Sequence, residues 1–118
     1  GKLVAAGGLD RTIRIWELGE KEGKLQHSLI AHEGPILRIA FSPDGEKLVT
    51  ASIDGTIKVF RSADLAELKI LSAQPDWVMS LRFSPDGSRL AAGRFDGSLS
   101  IYDLDTYQDQ LDTLRASR

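Results

Sequence analysis

The chain has 118 residues, 42% apolar and 27% charged, with a net charge of −2 and no cysteine. That balance excludes the basic footprint that nucleic acid or an anionic membrane requires, and the lack of cysteine excludes disulfides and thiolate metal sites. No apolar run approaches membrane-spanning length. Length alone argues for one domain. No signal-peptide pattern is read, but Gly1 is an unusual first residue, so we expect sequence, with or without a targeting segment, to precede it.

In chain order, short runs rich in Ile, Val, Leu and Thr lie between Gly/Asp/Pro turns and predict strands throughout. The first group has strands at Leu3–Gly7, Thr12–Glu17 and Leu25–Ala31. The second has strands at Ile36–Phe41, Lys47–Ser52, Thr56–Arg61 and Glu67–Ala73. The third has strands at Val78–Phe83, Arg89–Arg94 and Ser98–Leu104, with a last one near Leu111–Ala116. A C-terminal helix is the rival there, because Tyr107, Leu111 and Leu114 sit at helical spacing. The match of "LRA" (Leu114–Ala116) to "LIA" (Leu29–Ala31) and "LSA" (Leu71–Ala73) favours the strand.

The same phrase appears twice: "FSPDGEKL" at Phe41–Leu48 and "FSPDGSRL" at Phe83–Leu90, 42 residues apart. Proline presets φ, Asp supplies side-chain hydrogen bonds, and Gly takes the left-handed conformation that closes a hairpin. "IDGT" and "FDGS" add Asp-Gly hairpin signals. Asp10, Asp54 and Asp96 align at spacings of 44 and 42, and Trp16, Phe60 and Tyr102 align with them. Ile36, Ile39 and Phe41 are spaced three then two, as are Val78, Leu81 and Phe83, which predicts a β-bulge in both strands. A period of roughly 40–45 residues with several short strands indicates propeller blades.

On "AHEGPILRIAFSPDGEKLVTASIDGTIKVF" (Ala31–Phe60), a poorer copy at Ala73–Tyr102 and "LDRTIRIWEL" (Leu9–Leu18), the chain resembles the WD-repeat β-propellers. The resemblance implies an all-β fold, a partial β-propeller of four-stranded antiparallel blades. The first blade (1–32) lacks its innermost strand, and complete blades follow at 33–74 and 75–118. It also implies a side-chain relay of His, Ser or Thr, Asp and Trp. In the second blade this falls on His32, Thr50 and Asp54, with Phe60 in the last place and no N–H to donate. The third blade keeps Asp96 and Tyr102, with Gln74 and Ala92 in the other places. The first shows Asp10 and Trp16, with Ala6 in the hydroxyl place.

Propellers close with typically 4–8 blades, and eleven predicted strands do not close a ring. The end blades are expected to expose apolar faces that pack on neighbours, either further blades of a longer parent chain or other copies of this one. We favour the longer parent.

Little in the chain suggests catalysis. His27 falls on an outermost strand and is expected in solvent. His32 with Asp54 reads as structural pinning rather than a catalytic dyad. No Gly-rich phosphate loop opens a helix, and no cluster has metal-ligand spacing. The acidic stretch "DLDTYQDQLD" (Asp103–Asp112) lacks the glycine and ligand spacing of a calcium loop. No cofactor and no metal are expected.

Binding remains. The b–c turns and d–a loops form one rim of a propeller, and the residues before the shared Asp lie on it: Leu9, Ile53 and Phe95. Trp77 adds an aromatic in a d–a loop, and Arg94 is expected to offer a charged contact beside Phe95. Packing explains each residue singly as well as binding does; as a set they indicate a recognition rim. The expected function is a non-catalytic scaffold that binds a protein or peptide, with neither nucleic acid nor membrane as partner. The alternatives are an accessory or sensor portion of a larger enzyme, and a self-assembling repeat. The compartment stays open, with the cytoplasm favoured.

Overall fold

The computed structural model describes residues 2–19, 21–71 and 74–107. They form ten strands: β1 (Lys2–Gly7), β2 (Thr12–Leu18), β3 (Gly23–Ile30), β4 (Ile36–Phe41), β5 (Lys47–Ser52), β6 (Ile57–Arg61), β7 (Glu67–Leu71), β8 (Val78–Phe83), β9 (Arg89–Arg94) and β10 (Leu99–Asp103). All pairings are antiparallel between sequence neighbours, giving sheets β1–β2–β3, β4–β5–β6–β7 and β8–β9–β10. This is a partial β-propeller. The expected strand near Leu111–Ala116, and its helical rival, lie outside the described residues, as do Ser72 and Ala73 at the end of the expected fourth strand of the second group. Among the described residues no helix is long and apolar enough to cross a membrane.

The repeated phrase is a repeated set of hydrogen bonds. Ser42 Oγ donates to Asp44 Oδ1 (2.6 Å), which also accepts from Glu46 N (2.9 Å), while Lys47 N donates to Ser42 Oγ (2.9 Å). Forty-two residues on, Ser84 Oγ donates to Asp86 Oδ1 (2.7 Å), Ser88 N to the same oxygen (3.0 Å), and Arg89 N to Ser84 Oγ (3.0 Å). Gly45 and Gly87 both take φ of 75°, the left-handed region that a side chain would disfavour. Two donors converge on Asp44 Oδ1 in the first turn and three on Asp86 Oδ1 in the second. In the second turn the Ser88 N–H and the Ser84 and Ser88 hydroxyls bring the Asp86 carboxyl down to about 2.

Both bulges stand where the three-then-two spacing places them. Register shifts between Ile36 and Arg38 in the β4–β5 pair, and between Val78 and Ser80 in β8–β9. A bulge leaves the extra residue outside the ladder, here Leu37 and Met79. Arg38 collects both of their carbonyls: Nη1 donates to Leu37 O (2.6 Å) and Nε to Met79 O (2.7 Å). One guanidinium thus ties the inner strand of one sheet to the inner strand of the next.

The core lies between sheets. Alternation along β5 sends Leu48 one way and Val49 and Ala51 the other. Ile13 and Ile15 meet Leu48 and Phe60 between the first and second sheets. Val49, Ile57 and Val59 meet Val78, Leu81 and Leu90 between the second and third. Phe60 and Tyr102 both face the preceding sheet. The first sheet repeats that face outward with apolar surface uncovered: Val4 is 42% exposed, whereas Leu48 and Leu90 at its repeat positions are 0% exposed.

Candidate interaction rim and its buried supports

Three turns and two loops make one continuous edge. The β1–β2 turn carries Leu9, the β5–β6 turn Ile53 and the β9–β10 turn Phe95. Loop 31–35 is held at both ends: Ala31 N donates to Arg11 O (2.9 Å), and Pro35 O accepts from Ile53 N (3.2 Å). Loop 74–77 repeats this, with Gln74 N donating to Gly55 O (2.8 Å) and Trp77 O accepting from Phe95 N (2.9 Å). Each loop therefore bridges two sheets. Packing under the first is tight, since a Cβ on Gly34 would lie 2.9 Å from Ile53 Cγ1.

On this pinned backbone Leu9 is 85% exposed, Phe95 74%, Trp77 51% and Ile53 39%. Arg94 is placed elsewhere: it is 5% exposed and turned into the protein, so it offers no contact on the rim. Its Nε and Nη2 donate to Gln74 Oε1 (3.0 and 2.7 Å), Nη1 to Ser98 Oγ (3.2 Å) and Nη2 to Ser100 Oγ (2.5 Å). Gln74 Nε2 in turn donates to Tyr102 OH (2.9 Å) and Leu71 O (3.1 Å). Reading Arg94 as a rim cation overlooked that a strand's last residue can point inward. The available signal was the pair Ser98 and Ser100, small hydroxyls two apart where β10 begins; the strand expected from Ser98 starts one residue later, at Leu99.

In the second sheet the relay positions meet. His32 Nδ1 lies 3.0 Å from Asp54 Oδ2 and 3.1 Å from Thr56 Oγ1, and Nε2 lies 2.6 Å from Thr50 Oγ1. Asp54 can only accept, so Nδ1 carries the proton and Thr50 donates its hydroxyl hydrogen to Nε2. Asp54 also accepts from Glu33 N (3.1 Å), Thr56 N (2.9 Å) and Thr56 Oγ1 (2.6 Å). Thr56 was expected to begin a strand; its N–H is spent on Asp54 and β6 starts one residue later. Phe60, in the relay's last place, is fully buried in the apolar core.

Elsewhere the relay positions do less. Asp10 caps Thr12 N (3.1 Å) and pairs with Arg14 (2.7 Å) on the surface. Arg11 beside it takes the left-handed conformation, φ 67°. Trp16 is half-buried on the outward side of the first sheet. Asp96 Oδ1 accepts from Ser98 N (2.8 Å). His27 lies on the outer strand β3 opposite Ile15 and is half-buried, not fully in solvent. Among the described residues no buried side-chain nitrogen or oxygen lacks a hydrogen-bond partner.

Burial holds the His32 imidazole below its ordinary value of 6.5, against the opposing pull of Asp54. Burial alone would raise Asp54, but hydrogen bonds from Thr56, Glu33 N–H and His32 outweigh it and bring the carboxyl down to about 2 from 3.8. Both depressions make the unfolded chain bind more protons than the folded one, so stability falls as pH falls. The loss begins near 6.5, where unfolded His32 protonates, and resumes between 3.8 and about 2 for Asp54. Asp54→Ala is expected to cost about 2 kcal/mol at neutral pH by orphaning these donors, and to flatten the lowest-pH limb in acid titrations followed by circular dichroism. An unchanged melting profile would refute the assignment.

The model of the family described as "WD domain, G-beta repeat" matches residues 1–17, 23–61 and 66–103. The chain belongs to the WD-repeat family. Each of the two longer matched units starts at the outer strand of one sheet and ends on the third strand of the next, so both straddle two blades, while the first lies within one. The chain is 32% identical over 76 residues to a Periodic tryptophan protein 2 homolog of Schizosaccharomyces pombe, covering 64% of this chain and 9% of that protein. It is 31% identical over 74 residues to a guanine nucleotide-binding protein subunit beta of Oryza sativa subsp. indica, covering 63% and 19%. It is 31% identical over 83 residues to a Protein LST8 homolog of Drosophila melanogaster, covering 66% and 26%. The chain thus spans about a quarter or less of these relatives. WD repeats are in general protein-interaction scaffolds, and this chain carries them over most of its length.

Proposed function

We propose that this WD-repeat chain is a non-catalytic segment of a propeller that binds a protein or peptide through the rim formed by Leu9, Ile53, Trp77 and Phe95. Its blades divide at 1–32, 33–74 and 75–118. The observation that carries the reading is the exposure of four large apolar side chains along one edge, on three hairpin turns and a loop that backbone hydrogen bonds tie to one another across neighbouring sheets. Rigid exposed aromatics lose little entropy on binding and serve as anchors. Trp77→Ala and Phe95→Ala are expected to weaken capture of peptides selected from a random display library. Unfolding free energy should stay within about 0.5 kcal/mol, as for other exposed sites. Parallel loss of binding and thermal stability would make both residues structural.

A second reading has its own support. The outward face of the first sheet repeats the positions that bury Leu48 and Leu90, so another blade of this kind, from a longer parent or a second copy, fits against Val4 and Trp16. Light scattering after size-exclusion chromatography should then report species larger than one chain at raised concentration. A strict monomer would end the version in which copies assemble.

A further inference from the structure

The charge set around the exposed aromatics is one-sided. Trp77 and Phe95 are joined through Trp77 O and Phe95 N, and loop 74–77 is tied to the Ile53–Gly55 turn through Gln74 N and Gly55 O. Two carboxylates stand on the same loops. Glu33 is exposed in loop 31–35, and its backbone N–H is fixed on Asp54 Oδ2 (3.1 Å). Asp76 precedes Trp77 and accepts that residue's N–H on Oδ1 (2.8 Å). Among the described residues neither carboxylate has a cationic partner within ion-pair distance. Arg94 is buried and turned inward, and Lys58 is held by Ala31 O (2.7 Å) and Glu67 (3.4 Å), while the exposed Arg11 stands at the first-sheet end of loop 31–35, where its carbonyl accepts from Ala31 N. Asp54 beneath them remains ionised through the physiological range and adds to the same negative field.

We infer that the rim over the second and third sheets takes a peptide segment of a protein partner in which a Lys or Arg lies beside a bulky apolar side chain. This rests on the rim being a binding surface at all. The apolar side chain covers Ile53 and Phe95. The cation sits over the Trp77 face, where the ring attracts it, with the Asp76 and Glu33 carboxylates as its charge partners. An acidic peptide, or a nucleic acid presenting phosphates, meets these carboxylates as like charges. The other end of the rim differs: Arg11 stands beside Leu9, which directs the basic residue of the segment toward Trp77.

The test is selection of random display-library peptides on the 118-residue chain, with counter-selection on its W77A/F95A variant. Enriched peptides that require Trp77 and Phe95 and carry Lys or Arg next to an apolar residue support the inference. Enriched peptides that require both aromatics but are neutral or acidic overturn the charge assignment and leave the rim reading standing. Peptides indifferent to the two aromatics, or no enrichment, overturn the rim reading and this inference with it. The charge is then tested directly with Glu33→Lys combined with Asp76→Asn, which keeps an acceptor for Trp77 N–H. Affinity for an enriched basic peptide should fall about tenfold at low ionic strength, with the gap closing as salt is added. Equal affinity at low salt in a variant with an unchanged melting curve refutes the role of the carboxylates.

Discussion

Phe60→Ala is expected to lower the unfolding free energy by about 3–5 kcal/mol, the range for deleting a fully buried phenylalanine. The side chain is 0% exposed and packs with Ile13, Ile15, Leu48 and Leu65 between the first and second sheets. The walls of the resulting hole are strands of two different sheets, each held by its own ladder, so the site has little room to collapse. The cost should therefore reach the upper part of the range. Phe60→Leu keeps most of the volume and should lose less than half as much. Phe60→Trp tests a different point, because it supplies the N–H that the relay position lacks. In a site already filled, the larger ring should cost about 1–3 kcal/mol unless that N–H reaches the Thr50 hydroxyl. Urea unfolding of the three variants decides this, read with m as well as midpoint. A loss below about 1 kcal/mol for Phe60→Ala would mean that the first two sheets do not share a core.

What the sequence disclosed followed from how local each feature is. The turns were legible because Ser, Asp and Gly at fixed offsets complete their hydrogen bonds within six residues, Ser42 to Lys47. The bulges were legible because an inserted residue displaces the apolar face, and Ile39 and Leu81 record that displacement by spacing. Exposure of Leu9, Ile53 and Phe95 was legible because apolar residues in turns break the usual polar chemistry. Arg94 was not legible. Its partners Gln74, Ser98 and Ser100 come from a loop and the adjoining strand, and only the register Leu99↔Gly93 and Ser100↔Ala92 brings them to one point. The clamp of Arg38 on Met79 O was equally hidden, because it joins residues 41 apart across two sheets. The partner chemistry proposed above has no sequence motif, because it is argued from exposed side chains and charges that only folding brings to one edge.

Arg94→Ala is expected to cost about 2–4 kcal/mol, as when a buried charged donor is removed and its acceptors are orphaned. The residue is 5% exposed and donates to one amide and two hydroxyl oxygens. Arg94→Lys should recover only part of the loss, because a single ammonium on a flexible stem does not reproduce the planar fork that reaches Gln74 through two nitrogens. Arg94→Met paired with Gln74→Leu should recover more, since apolar replacement of both members leaves fewer unsatisfied groups than removal of one. The damage should be local. Amide exchange ought to rise in β8–β10 before β1–β3. A loss spread evenly over all three sheets, or one below about 0.5 kcal/mol, would deny the network its role. The two braced sheets should also part company in acid. The second relies on His32, held neutral by burial, and weakens as pH drops below its ordinary value of 6.5. The third relies on Arg94's bonds to one amide and two hydroxyl oxygens, and no imidazole or carboxylate is among those partners. Exchange measured at mildly acidic pH should therefore open β4–β7 ahead of β8–β10, and Arg94→Ala should reverse that order.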